Sequence, residues 1–141
     1  FDRNAPVELR YEGEAPQVAS AAGEELRMRP SSISNLGRIF APSPRREHPL
    51  DLGIPSIYEE RIRVRIPEDA RVVGLPESAR AKSEFGEFRL DAREAEGAVE
   101  IELFLRFDRD RVEPSDYPAF RAWIEAIDQS VQQQITFGGA R

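Results

Sequence analysis

The strongest constraint on this chain is where proline is absent. Its eleven prolines stand at 6, 16, 30, 42, 44, 49, 55, 67, 76, 114 and 118, which leaves residues 77–113 without one. Proline has no N–H to give to a sheet ladder, so central strands belong in that stretch and other strands between the remaining prolines. Alternation agrees. Val99, Ile101, Leu103, Leu105 and Phe107 fall on one face of an extended chain, and Glu100, Glu102 and Arg106 on the other. That is the pattern of a half-buried strand. Phe104 interrupts the polar face and predicts local cover there. Ile62, Val64 and Ile66 alternate with Arg61, Arg63 and Arg65 in the same way. So do Val7, Leu9 and Tyr11 with Glu8, Arg10 and Glu12, and Leu26 and Met28 with Arg27 and Arg29.

Weaker strand patterns cover residues 71–75, 79–85 and 87–93. Glu96-Gly97 between two patterned runs predicts a hairpin turn, with Gly supplying positive φ. Pro67-Glu68-Asp69 predicts another strand end. Roughly seven or eight short strands at this spacing predict a single β-sandwich domain over residues 1–141.

Two segments leave the rhythm. Residues 30–55 hold five prolines and read as an irregular, proline-rich connection. Within it Leu36, Ile39 and Phe40 stand at helical spacing behind Ser34, which predicts a short helix capped by that serine. Residues 115–134 are the C-terminal α-helix. Tyr117, Phe120, Ile124, Ile127 and Val131 form one apolar stripe, which Trp123 widens. Ser115 or Asp116 is the expected cap, and Pro118 is tolerated in the first turn. Ile135 and Phe137 suggest a last strand. At ~25 cal/mol per Å² the stripe is worth several kcal/mol, so it must be covered by the sandwich or by a neighbouring domain.

Composition mostly excludes. Twenty Lys and Arg against 26 Asp and Glu give a net charge of −6, which disfavours nucleic acid and anionic lipid as partners. No apolar run approaches the ~18 residues of a membrane span. Without cysteine there is no disulfide framework, thiolate zinc site or cysteine nucleophile. His48 is the only imidazole. It sits in the proline-rich passage with no GxSxG context, so it reads as a loop histidine. Glu24-Glu25, Glu59-Glu60, Asp108 and Asp110 are the candidates for paired-carboxylate chemistry, but arginines interleave with them as on a solvated face. Calcium is disfavoured because the oxygens and glycine of an EF-hand loop do not follow Asp110. No glycine-rich phosphate loop is present. Catalytic, cofactor and metal sites are all expected to be absent. Trp123, Tyr117 and Phe120 could form a sugar-stacking platform, although their helical spacing favours core packing.

The order of features also resembles a known family. The strand VELRYEGEAP is followed by GEELRMRP, RREHPLDLG, IYEERIRVRIPEDARVVGLP, SEFGEFRLDAREAEGAVEIELFLRF and EPSDYPAFRAWIEAIDQSVQQQITF. This resembles the C-terminal domain of bacterial proteins that also carry an N-terminal domain of unknown function and a transglutaminase-like core. The matching steps are Ile66-Pro67, Leu75-Pro76, then Ser83, Phe85 and Gly86, and finally Tyr117 and Phe120. The resemblance implies an immunoglobulin-like antiparallel β-sandwich with one C-terminal helix, in exported (periplasmic or cell-surface) proteins. The Cys-His-Asp set of such proteins belongs to the core, and no position here matches it. The chain opens at Phe1 with its single Met at position 28, so the expectation is a fragment of a larger multidomain protein. The expected role is a non-catalytic accessory domain that packs in cis against the upstream transglutaminase-like, papain-like cysteine core. Phe40, Trp123, Tyr117 and Phe120 are the expected interdomain contacts. The alternative is a carbohydrate- or peptide-binding module. An enzyme in its own right would need two acids facing one another in a pocket.

Overall fold

A computed structural model describes residues 18–139. The alternating segment at Val7, Leu9 and Tyr11 lies outside the described residues. Ten strands and two helices follow in the order β1 (Ala19–Ala22), β2 (Glu25–Met28), α1 (Leu36–Phe40), β3 (Leu50–Asp51), β4 (Ile57–Arg65), β5 (Arg71–Gly74), β6 (Ala79–Ser83), β7 (Gly86–Ala95), β8 (Ala98–Phe107), β9 (Arg111–Val112), α2 (Tyr117–Gln132) and β10 (Ile135–Gly138). The chain is mainly β. One four-stranded sheet has the order β1-β2-β10-β5, a second has β4-β8-β7-β6, and β3 and β9 form a separate pair. All pairings are antiparallel.

The proline-free stretch supplies the middle of the second sheet. β8 pairs along its whole length with β4 on one side and β7 on the other. Its alternation works as the sequence predicts: Val99, Ile101, Leu103, Leu105 and Phe107 are buried. The β7–β8 hairpin turns through Glu96 and Gly97, both with positive φ (49° and 70°), which matches the right-handed twist of the flanking strands. Pro67 closes the turn after β4, its carbonyl accepting from Ala70 N–H at 3.0 Å.

Gly86 opens β7 at a place where no side chain fits. A Cβ there would lie 1.9 Å from the Arg106 carbonyl oxygen and 3.0 Å from Trp123 Cη2. Just before it, Ser83 Oγ accepts the Phe85 N–H at 3.1 Å. The Ser-x-Phe-Gly step therefore opens β7 in close contact with its ladder neighbour β8, against the indole of α2.

Six residues of α2 are buried: Tyr117, Phe120, Trp123, Ile124, Ile127 and Val131. At ~1.5–3 kcal/mol per large apolar side chain, their burial is worth on the order of 10 kcal/mol before entropy is charged. Phe85 meets Phe120 edge-on at 5.3 Å, Phe107 meets Trp123 edge-on at 5.6 Å, and Trp123 Nε1 donates to the Ala81 carbonyl at 3.2 Å. Met28, Ile135 and Phe137 bring the first sheet into the same core.

Several local expectations are corrected. α2 spans Tyr117–Gln132 rather than 115–134; Asp116, one of the two expected caps, takes the N-cap position but makes no side-chain capping bond. Ser115 Oγ donates instead to the Asp116 carboxylate at 3.2 Å, while the Asp116 carbonyl accepts Phe120 N–H at 3.0 Å. Ser34 does not cap α1; Asn35, in the left-handed region at φ 59°, takes the N-cap position without a side-chain bond. The passage 30–55 is also less irregular than its prolines imply. It carries α1 and β3, and β3 is pinned to β9 with Leu50 opposite Val112 and Asp51 opposite Arg111. Finally, there are ten strands among the described residues, since the two-residue pair β3–β9 is too short to leave a periodic signal.

Candidate functional site

The residues singled out for chemistry do not converge. His48 is exposed in the loop before β3, where its carbonyl accepts from Arg46 Nε at 3.3 Å. Asp108 is engaged by Arg106 at 2.5 Å. The hydrogen bond from that guanidinium holds the Asp108 carboxyl below its ordinary value. Asp91 is lowered mainly by the hydrogen bond from Arg80, and Glu100 by that from Arg93. A catalytic acid needs the opposite displacement. Glu60 accepts hydrogen bonds from the hydroxyls of Ser31 and Ser32 and so ties down the start of the 30–55 passage. Among the described residues no group of three or more His, Asp or Glu side chains is placed to hold a metal.

The outer face of the second sheet is a lattice of opposite charges. Register sets Arg63, Glu100 and Arg93 in one row and Arg61, Glu102 and Asp91 in the next. Glu100 binds Arg63 and Arg93 together. The cross-strand register thus brings Arg63 of β4 onto Glu100 of β8. Phe104 is covered as its alternation predicts, by Arg89 stacked 4.4 Å from the ring centroid. A trough of about 300 Å³ crosses this face, lined by Glu59, Arg61, Arg80, Arg89, Asp91 and Glu102 among others. Two of its arginines are paired, Arg80 with Asp91 and Arg89 with Glu87, in exposed ion pairs of the kind found on a solvated surface.

A second concavity is apolar and lies at the α1 end. α1 is only five residues long, and a helix this short is marginal by itself. It forms because α2 holds it: the Asp128 carboxylate accepts Leu36 N–H at 2.8 Å and Gly37 N–H at 2.7 Å. Leu36 is buried between them and the core. Phe40 then sits 5.2 Å from Phe107, at the rim of the aromatic cluster. Beyond that rim the Tyr58 end of the inner face of β4 is left uncovered, while Ile62 and Val64 further along pack against the core. A groove of about 270 Å³ results, lined chiefly by Ile33, Ile39, Phe40, Tyr58, Leu105 and Phe107. Ile39 is 63% exposed and Tyr58 48%.

This geometry separates the four expected contact residues. Tyr117 and Phe120 have no exposed surface and Trp123 keeps 6%. They are core, so neither an interdomain contact nor a sugar-stacking platform can be built from them. Tyr117 also spends its hydroxyl inside the domain, donating to the Ser43 carbonyl at 2.6 Å. Only Phe40 reaches a surface groove. Sequence reasoning missed Ile39 and Tyr58 as the exposed apolar partners; the interruption of the β4 alternation at Ile57 and Glu60 was the available signal.

Residues 29–137 match the family described as a domain of unknown function with a solved structure, DUF3858. The chain belongs to this family. The matched span of this DUF3858 member begins just before the Ser31–Glu60 tether and ends within β10, so the groove lies wholly inside it. Its fold is similar to part of a solved structure, a putative protease from Parabacteroides distasonis ATCC 8503, with a TM-score of 0.68 and 14% sequence identity. The match covers 84% of this chain and 24% of that one, so the chain spans about a quarter of that protein. At this identity the likeness concerns the fold. No curated protein matches the chain.

Proposed function

We propose that this chain is a non-catalytic accessory domain that packs in cis against a transglutaminase-like, papain-like cysteine core in a larger, exported bacterial polypeptide, with the DUF3858 domain on the C-terminal side. The observation that carries this reading is the apolar groove between α1 and the edge strand β4, where Ile39 and Tyr58 stand exposed beside Phe40. Covering these side chains on docking is worth up to ~1.5–3 kcal/mol each. The fold likeness to about a quarter of a putative protease supports a multidomain parent. The dispersed, arginine-paired carboxylates support a scaffold without chemistry of its own. The two four-stranded sheets feeding one core support an immunoglobulin-like sandwich, with α2 packed into it.

The test uses the parent polypeptide in three forms: intact, lacking these 141 residues, and carrying Ile39→Ser with Tyr58→Ser. Thermal stability of the catalytic core and turnover of peptide amides are measured. The proposal expects both changes to lower core stability, the deletion more. Unchanged stability and turnover in the deletion would refute it.

A further inference from the structure

The β4 strand has a polarity that its ladder defines. Phe107 N–H bonds to the Ser56 carbonyl and Ile66 N–H to the Gly97 carbonyl. In an antiparallel pair alternate residues exchange both bonds. With Tyr58 opposite Leu105, Glu60 opposite Leu103, Ile62 opposite Ile101 and Val64 opposite Val99, it is the even-numbered residues that bond to β8. Ile57, Glu59, Arg61, Arg63 and Arg65 therefore direct their N–H and C=O groups the other way. β4 is the outermost strand of its sheet, and among the described residues nothing pairs with those groups. The open edge is nine residues long, about 30 Å at the rise of a strand.

Natural edges of this length are normally shortened, covered, bulged or lined with charge, and of these devices β4 carries the charge. This one runs in unbroken register with β8, all five outward-bonding residues have exposed side chains, and one end leads to the apolar groove beside Tyr58. Its outward row is net positive, with Arg61, Arg63 and Arg65 against Glu59. Arg63 is engaged by Glu100, but Arg61 and Arg65 have no ion-pair partner among the described residues. We propose that the free edge of β4 takes an extended acidic segment as a fifth strand, with carboxylates set against Arg61 and Arg65 and apolar residues alternating toward Ile62, Val64 and the groove. Main-chain bonds supply affinity and the alternate side chains supply selection, as in other strand-addition complexes. This rests on the docking reading above and deepens it, since on that reading the segment belongs to the neighbouring domain.

The experiment uses the 141-residue chain and a synthetic peptide of alternating glutamate and valine, with a lysine–valine peptide as control, read by amide hydrogen exchange and calorimetry. The glutamate–valine peptide should slow exchange at Ile57, Glu59, Arg61, Arg63 and Arg65. Arg61→Glu with Arg65→Glu should weaken it by roughly tenfold and shift preference to the lysine–valine peptide. Arg61→Pro removes an outward N–H without breaking the β8 ladder, and should abolish binding. The inference is overturned by no added protection on β4, by protection confined to another edge, or by equal response to both peptides. Slow exchange at these five amides in the free chain would also overturn it, because the edge would then already be filled, by the same chain if monomeric or by a second copy if dimeric. None of these readouts depends on the catalytic core, so either proposal can fail alone.

Discussion

Asp128→Ala offers the sharpest test of how the groove is built. The carboxylate accepts two backbone N–H groups, at 2.8 and 2.7 Å, from the first residues of a helix distant in sequence. Hydrogen bonds to a charged group are worth about 1.5–3 kcal/mol when deep, and a helix N-cap about 0.5–2 kcal/mol. Asp128 is only half-buried, which favours the lower figures, so the pair is worth about 2 kcal/mol in total. For a chain of this size that corresponds to a fall in Tm of about 7 °C. Asn keeps one acceptor oxygen and should recover about half of the loss. Ser34→Ala, at the residue that local pattern marks as the cap, should change stability by less than ~0.5 kcal/mol. Urea and thermal unfolding followed by circular dichroism measure all three. Loss at Ser34 with no loss at Asp128 would refute the reasoning outright. An Asn variant indistinguishable from wild type would show that charge and the second bond contribute nothing.

Gly86→Ala should cost about 3 kcal/mol or prevent folding, since its Cβ would sit 1.9 Å from the Arg106 carbonyl and that oxygen belongs to the central strand; urea unfolding or soluble yield reads the result. Tyr117→Phe removes the bond to Ser43 and should cost about 1 kcal/mol, while tryptic cleavage after Arg45 and Arg46, in the loop that bond anchors, should accelerate. The pH dependence follows from Asp91, Asp108 and Glu100, whose folded-state values lie below the ordinary 3.8, 3.8 and 4.5. A depressed carboxyl binds its proton more weakly folded than unfolded. Its contribution is complete above those ordinary values and is lost as pH falls through the folded ones. Stability should therefore decline below about pH 4.5, and Arg63→Gln with Arg93→Gln should flatten that decline in acid unfolding curves.

The parts legible in the sequence are those where neighbours along the chain carry the information. The alternation across residues 99–107 forecast which side chains of β8 are buried, and Glu96-Gly97 forecast the turn before it. The 3-4-3-4 stripe of α2 identified its buried face, including the position of Trp123 beside it. The illegible parts depend on what lies across the fold. Phe40, Tyr117, Phe120 and Trp123 look equivalent as aromatics on apolar faces. Three are buried in the core, and one is left at the end of a five-residue helix that covers no more of the sheet.

By itself the sequence determined a mainly β chain, its long central strands, the helix after Pro114, and the absence of cysteine chemistry. These follow from proline placement, side-chain period and composition, each readable within a few residues. Tertiary structure alone decided that a carboxylate on α2 caps α1, that the glycine of the Ser-x-Phe-Gly step lies against the Arg106 carbonyl, and that β4 ends the sheet with its outward amides unpaired among the described residues. Those outcomes are contacts between segments tens of residues apart. No local period records them, because the same half-buried strand pattern serves equally well at the centre of a sheet and at its edge.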